Sequence, residues 1–251
     1  MLNFDDLEFF YEPFPIGRAR NVVAPDIYRE MLASFPPVEL FNHYLKLKDD
    51  KFYLNEVKTR AKYLDWIDRH PVWKEFHRWI KSEAFPHYIF GVLNRHHIEL
   101  GIPRKRPGLY REVRQVASDI RYGRYPRFWR KPYVRFEFSA MKADGGYIRP
   151  HTDAPDKIVT LVLFMVGEGE WKTEWGGGLE VDRVAERRMI FNHVNHFVDF
   201  SDVEPVRTFE FVPNQCVVFV KTHNSYHCVR PLRNSGSTLL RKTLTINIEY
   251  E

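Results

Sequence analysis

The sequence predicts an α+β fold: a β barrel or jelly roll with a layer of helices from its N-terminal region packed on the sheet. Three observations predict it. Short apolar or alternating runs, separated by turn signals, fill the chain from Tyr133 to Tyr250. Ahead of them stands an amphipathic helical pattern in which Val72, Phe76, Trp79 and Ile80 share one face. No low-complexity linker or internal repeat divides the 251 residues, so they read as one domain. Within it, 1–103 is a helical support region, 104–132 a basic aromatic insertion and 133–251 the β core.

In chain order, Glu12-Pro13-Phe14-Pro15 is a turn and Ile16 to Val23 a short strand. Pro25 suits a first helical position, with Ile27, Met31 and Leu32 as the apolar face and a stop before Phe35-Pro36-Pro37. Residues 38–70 show no clear period. His70-Pro71 opens the strongest helix; Pro86 interrupts, and a second helix follows with Ile89, Phe90 and Leu93 inward. From Arg104 to Arg135 there are eleven Lys or Arg against two acids, interleaved with Tyr110, Tyr122, Tyr125, Phe128, Trp129 and Tyr133. That stretch reads as a surface for an anionic polymer or as a solvated loop anchored by its aromatics; the absence of a nucleic-acid motif favours the loop.

Beyond it the pattern turns β. Val134, Phe136 and Phe138 alternate with Arg135, Glu137 and Ser139, the period of a half-buried strand. Asp144-Gly145-Gly146 is a turn signal, Ile158 to Val166 a buried strand, and Gly176-Gly177-Gly178 leads into Leu179-Glu180-Val181. Residues 183–205 form an excursion without a clear pattern. Val206 to Val212 alternates, Cys216 to Val220 is buried, and Leu240 to Tyr250 is the last strand, with Leu244, Ile246 and Ile248 on one face.

Composition narrows the function classes. A net charge of +5 favours anionic substrates and falls short of a dedicated DNA-coating protein. Two cysteines, Cys216 and Cys228, are too few for a disulfide framework and point to a reducing compartment. The acidic start, Met1 to Asp6, is no secretory signal, and no apolar run is long enough to span a membrane. A cytoplasmic protein is expected.

The chemistry centres on Tyr147-Ile148-Arg149-Pro150-His151-Thr152-Asp153. In an extended segment residues i and i+2 point to one side, so His151 and Asp153 aim an imidazole and a carboxylate at one point. A second histidine completes the two-His, one-carboxylate set that holds ferrous iron with open positions. His227 can supply it if the sheet folds back on itself; His223, His193 and His196 are rivals. Arg241 opens the last strand, and its planar fork pairs bidentately with a carboxylate. Thr243 points the same way and adds a hydroxyl.

Together these residues resemble the 2-oxoglutarate- and Fe(II)-dependent dioxygenases, in the prolyl 4-hydroxylase-like branch. The resemblance runs from about Tyr133 to Tyr250. It rests on Tyr147-Ile148-Arg149 before His151-Thr152-Asp153, Trp175-Gly176-Gly177-Gly178-Leu179-Glu180, the spacing from His227 to Pro231, and Arg241 heading the terminal strand. It implies a double-stranded β-helix (a cupin-like jelly roll) and Fe(II) held by His151, Asp153 and His227. It also implies 2-oxoglutarate bound by Arg241, Thr243 and Tyr147, O2 as co-substrate, and hydroxylation with release of succinate and CO2. The spacing from His227 to Arg241 is longer than in close prolyl hydroxylases, which leaves Arg230 and Arg233 as rivals for the carboxylate. An anionic small molecule or glycan component is the expected substrate. A protein prolyl side chain is the alternative within the same chemistry. A non-catalytic module binding nucleic acid through 104–135 and a cupin-like zinc or manganese enzyme are the alternatives outside it.

Overall fold

The computed structural model describes residues 2–44, 51–102, 108–123 and 130–250. Two antiparallel sheets face one another. The larger has eight strands: β1 (Glu8–Phe10), β2 (Ile16–Ala19), β3 (Asn42–Tyr44), β4 (Lys51–Asn55), β5 (Pro132–Lys142), β7 (Lys157–Met165), β10 (Cys216–Val220) and β12 (Leu240–Tyr250), in the order β1-β2-β10-β7-β12-β5-β4-β3. The smaller has four, β6 (Ile148–His151), β8 (Leu179–Val184), β9 (Val203–Phe209) and β11 (His227–Val229), in the order β6-β11-β8-β9. This is the jelly-roll, double-stranded β-helix arrangement.

Alternation along the strands gives the large sheet two different faces. Phe136, Phe138, Leu161, Leu163, Leu244, Ile246 and Ile248 turn outward and form the main core with α1 (Pro25–Ala33), α2 (Arg60–Arg69), α3 (Pro71–Ile80) and α4 (Ala84–Arg95). Trp73 on α3 is fully buried there, its ring 4.8 Å from Phe138 and its Nε1 donating to Ser34 O at 2.7 Å. The other face looks at the small sheet. Part of that gap is closed by Phe164, Leu179, Val181, Phe209 and Phe219; the remainder is open.

Several expectations are corrected. Pro86 does not interrupt a helix. It is the third residue of α4, and the first turn has no intrahelical partner for its N–H groups, so no bond is lost. The inward faces also differ: Tyr28 and Met31 are buried on α1 while Ile27 is exposed, and Phe90 on α4 is half-buried. The unpatterned 38–70 yields β3, β4 and α2, and the N-terminal region is not only helical, since it adds strands at both edges of the large sheet. Arg135, Glu137 and Ser139 do not face bulk solvent; they line the gap between the sheets. Within the insertion, α5 (Leu109–Arg121) is a helix rather than a loop, and Tyr110 and Tyr122 are 77% and 66% exposed instead of anchored. Tyr125, Phe128 and Trp129 lie outside the described residues. Residues 204–208 of β9 are all exposed rather than alternating, because β9 is the edge of the small sheet. Among the described residues no helix is long and apolar enough to cross a membrane.

Candidate metal and cosubstrate site

β6 ends at His151 and β11 begins at His227, and the two residues are direct partners across the antiparallel pair. Their rings lie 4.4 Å apart between centroids. Asp153 joins them by a route the sequence did not suggest. The strand has ended, and Asp153 has φ 70°, a left-handed conformation that aspartate tolerates better than most side chains. One Asp153 oxygen is 3.5 Å from His151 Nε2 and the other 4.0 Å from His227 Nε2. Ligand atoms of the three residues all fall within 4.8 Å of one another.

The polar partners favour metal ligation. His151 Nδ1 is 2.9 Å from Arg149 O, and His227 Nδ1 is 3.0 Å from Ser225 O. A backbone carbonyl only accepts, so Nδ1 carries the proton in each ring and Nε2 presents its lone pair to the common point. Burial, then the neighbouring His151, push His227 down to about 3, which keeps it neutral near pH 7. Burial alone raises Asp153; the Lys157 ammonium beside it outweighs that and holds the carboxylate well below its usual range. Lys157 Nζ approaches Asp153 at 2.8 Å and Thr160 Oγ1 donates at 3.0 Å. A set of two imidazoles and one carboxylate suits ferrous iron with open positions.

A cavity of about 320 Å³ runs from this triad between the sheets. Alternate residues of β12 pave one wall: Arg241, Thr243, Thr245, Asn247 and Glu249. Arg241 is 4% exposed. Its Nε donates to Gly177 O at 2.5 Å, Phe164 and Phe211 flank the guanidinium, and no acid among the described residues pairs with it. Burial pushes it down to about 9 with nothing opposing. An arginine stays charged in proteins, so the shift reflects the cost of a desolvated cation that lacks an anion. Gly177 has φ 89°, and a Cβ there would meet Trp171, Leu232 and Arg241 at 3.2 to 3.4 Å. The glycine run of the sequence thus brings a carbonyl against Arg241.

The rivals fall elsewhere. Arg230 pairs with Glu180 at 2.7 Å, and Arg233 is exposed. His223 stacks on Phe191, and neither His193 nor His196 lines the cavity. Tyr147, expected at the cosubstrate, does not line it either; its ring is 6.2 Å from Phe200. The unpatterned excursion supplies residues the sequence did not reveal. Phe197 stacks on His151 at 5.0 Å and 17°, and Asn195 lines the cavity beside it. Nothing in sequence spacing signals either one.

No curated protein matches the chain. Solved structures do, distantly. A Pseudomonas putida prolyl-4-hydroxylase is 14% identical, covering 94% of this chain and 92% of its own, with a TM-score of 0.44. A Trichoplax adhaerens prolyl hydroxylase, solved with a hypoxia inducible factor peptide, is 10% identical over 93% and 83%, TM-score 0.45. IDO from Bacillus thuringiensis is 10% identical over 94% and 93%, TM-score 0.47. The family model described as the 2OG-Fe(II) oxygenase superfamily matches residues 136–249. That segment contains His151, Asp153, His227 and Arg241, and the family's cofactors are Fe(II) and 2-oxoglutarate, with O2. Residues 136–249 of this chain therefore belong to the 2OG-Fe(II) oxygenase superfamily.

Proposed function

We propose that this enzyme is a hydroxylase in which His151, Asp153 and His227 hold Fe(II) and Arg241, assisted by Thr243, grips the far carboxylate of 2-oxoglutarate. The observation that carries the assignment is Arg241: a buried cation with no anion among the described residues, in the same cavity as a compact His-Asp-His set. A dicarboxylate that reaches the metal satisfies both. The bound iron and 2-oxoglutarate supply the oxidising chemistry, with O2 consumed and succinate and CO2 released. The chain's own residues bind, orient and shield. Arg149 O and Ser225 O fix the imidazole tautomers. Lys157 and Thr160 orient the Asp153 carboxylate. Phe197 and Phe219 cover the histidine rings and exclude water from them.

For the substrate, we favour a small acid that also carries hydroxyl or amine donors. Lys58 adds positive charge to the cavity lining, where Lys51 and Arg135 are paired with Glu137 and Glu249. Beside them, Glu249 Oε1 and Asn195 Oδ1 are buried acceptors without a hydrogen-bond partner; buried acceptors are normally satisfied, and donors on a substrate would satisfy these. A screen of hydroxylated and amino acids for stimulated succinate formation, with Fe(II), 2-oxoglutarate and ascorbate, tests the reading. Hydroxy or amino acids are expected to outperform their methyl esters, and Asp153→Ala to abolish turnover; equal turnover by Asp153→Ala rejects the metal assignment.

A further inference from the structure

The small sheet has a second side. His227 faces Val181 across the β8–β11 pair and Cys228 faces Glu180, so strand parity turns the side chains of Cys228, Glu180 and Asp182 to the side opposite that of His227, although Cys228 also borders the cavity. All three are buried: Glu180 8% exposed, Cys228 1% and Asp182 0%. One ligand atom from each lies within 4.8 Å of the others. Residues beyond β8 close over this face, with Tyr226 OH donating to Met189 O at 2.8 Å.

The cluster has an unmet need. Among the described residues neither buried carboxylate oxygen of Asp182 has a hydrogen-bond partner, a costly state for any polar group. Glu180 is satisfied: Arg230 Nε donates to its Oε1 at 2.7 Å, and Cys228 Sγ approaches the same oxygen at 3.5 Å. Burial and the neighbouring Glu180 carboxylate push Asp182 up to about 7, against the opposing pull of Cys228 and Arg230. Among the described residues Arg230 is the ion-pair partner of the cluster, and its side chain is 37% exposed.

We propose that Glu180, Asp182 and Cys228 form a second, structural site for a divalent metal of borderline softness, zinc above all. One sulfur and two carboxylate oxygens make a ligand set that zinc accepts, with a fourth position for water on the Arg230 side. A coordinating thiol binds as thiolate. Two carboxylates and a thiolate are then balanced by the ion and the Arg230 guanidinium, so the buried group is neutral. The ion ties β8 to β11 one residue from His227 and steadies the strand that carries it. The site is separate from the iron assignment and stands or falls apart from it.

Cobalt(II) is the probe, because a cobalt–thiolate bond gives a charge-transfer absorption that His and carboxylate ligands do not. The wild-type protein is expected to take two Co²⁺ per chain and show this band. A triad variant, His151→Ala with Asp153→Ala, keeps one ion and the band. Cys228→Ser loses the band. Asp182→Asn, nearly isosteric, weakens zinc more than about 100-fold, beyond the roughly 10–100-fold of residues that only orient a ligand. No thiolate band in the wild type overturns the proposal and leaves Glu180 and Asp182 sharing a proton; so does a band or zinc affinity unchanged in Asp182→Asn.

Discussion

Arg241 shows how one residue can specify a ligand. A guanidinium that gives up water needs an anion in return, and the described residues offer only the Gly177 carbonyl and two aromatic faces. Hydrogen bonds to charged groups are worth about 1.5–3 kcal/mol, so Arg241→Gln is expected to raise the half-saturating 2-oxoglutarate concentration on the order of 100-fold. The succinate-release assay reads this, with the maximal rate changing less. The same residues show what is legible in a sequence. His151, Asp153, His227 and Arg241 could be read because their chemistry, order and spacing travel together. The left-handed turn at Asp153 could not, since any two-residue spacing reads as extended until the strand is known to end at His151. Phe197 could not because an aromatic in a patternless stretch signals only burial, and its partner ring is 46 residues away by number, His151.

Among the elements, the segment between β8 and β9 does the most for the site with the least regular structure. Asn192 organises it: its Oδ1 accepts from His196 N at 2.8 Å, its Nδ2 donates to His196 O at 2.6 Å, and its own carbonyl accepts from Thr152 Oγ1 at 2.6 Å. Val198 N then donates to Pro150 O at 3.0 Å, which docks the segment beside β6 and sets Phe197 over His151. Asn192→Ala removes the local clamp while leaving both sheets intact. Backbone amides of residues 193–199 are expected to exchange at least about tenfold faster, a local opening cheaper by about 1.4 kcal/mol or more, while those of β12 stay unchanged. Unaltered exchange in 193–199 would show that the docking does not depend on Asn192. β12 itself was legible as a strand with one apolar face. On its second face Arg241 and Thr243 were read, but Thr245, Asn247 and Glu249 were given no role and prove to continue the same cavity wall, because sequence alternation does not say what lies opposite.

At the scale of the whole molecule, the large sheet keeps its helical core on one side and its polar chemistry on the other. Fold class was readable from strand spacing, and so was β2 as the short strand from Ile16, but β1, β3 and β4 were not, being short and without period. Charge on the cavity face makes this layering sensitive to acid. Burial raises Glu137, but Lys51 and hydrogen bonds from Lys51, Asn55 and Ser139 outweigh it and hold it at about 2. Its unfolded value is about 4.3, so the folded state binds the proton less readily. The resulting stability is present in full above that value and lost as pH falls from about 4 toward 2. The shift corresponds to about 3 kcal/mol. Urea unfolding of the wild type and Glu137→Gln is expected to show the wild type's advantage shrinking across that window; an advantage independent of pH would contradict it.

The most direct test of the iron and cosubstrate assignment is an oxygen-free titration of the Fe(II)-loaded protein with 2-oxoglutarate, following the visible absorption that a 2-oxo acid acquires on chelating ferrous iron. A saturable band in the wild type that disappears in His227→Ala is the predicted result. A wild type that binds 2-oxoglutarate without that band, or a His227→Ala variant that keeps it, would contradict the account.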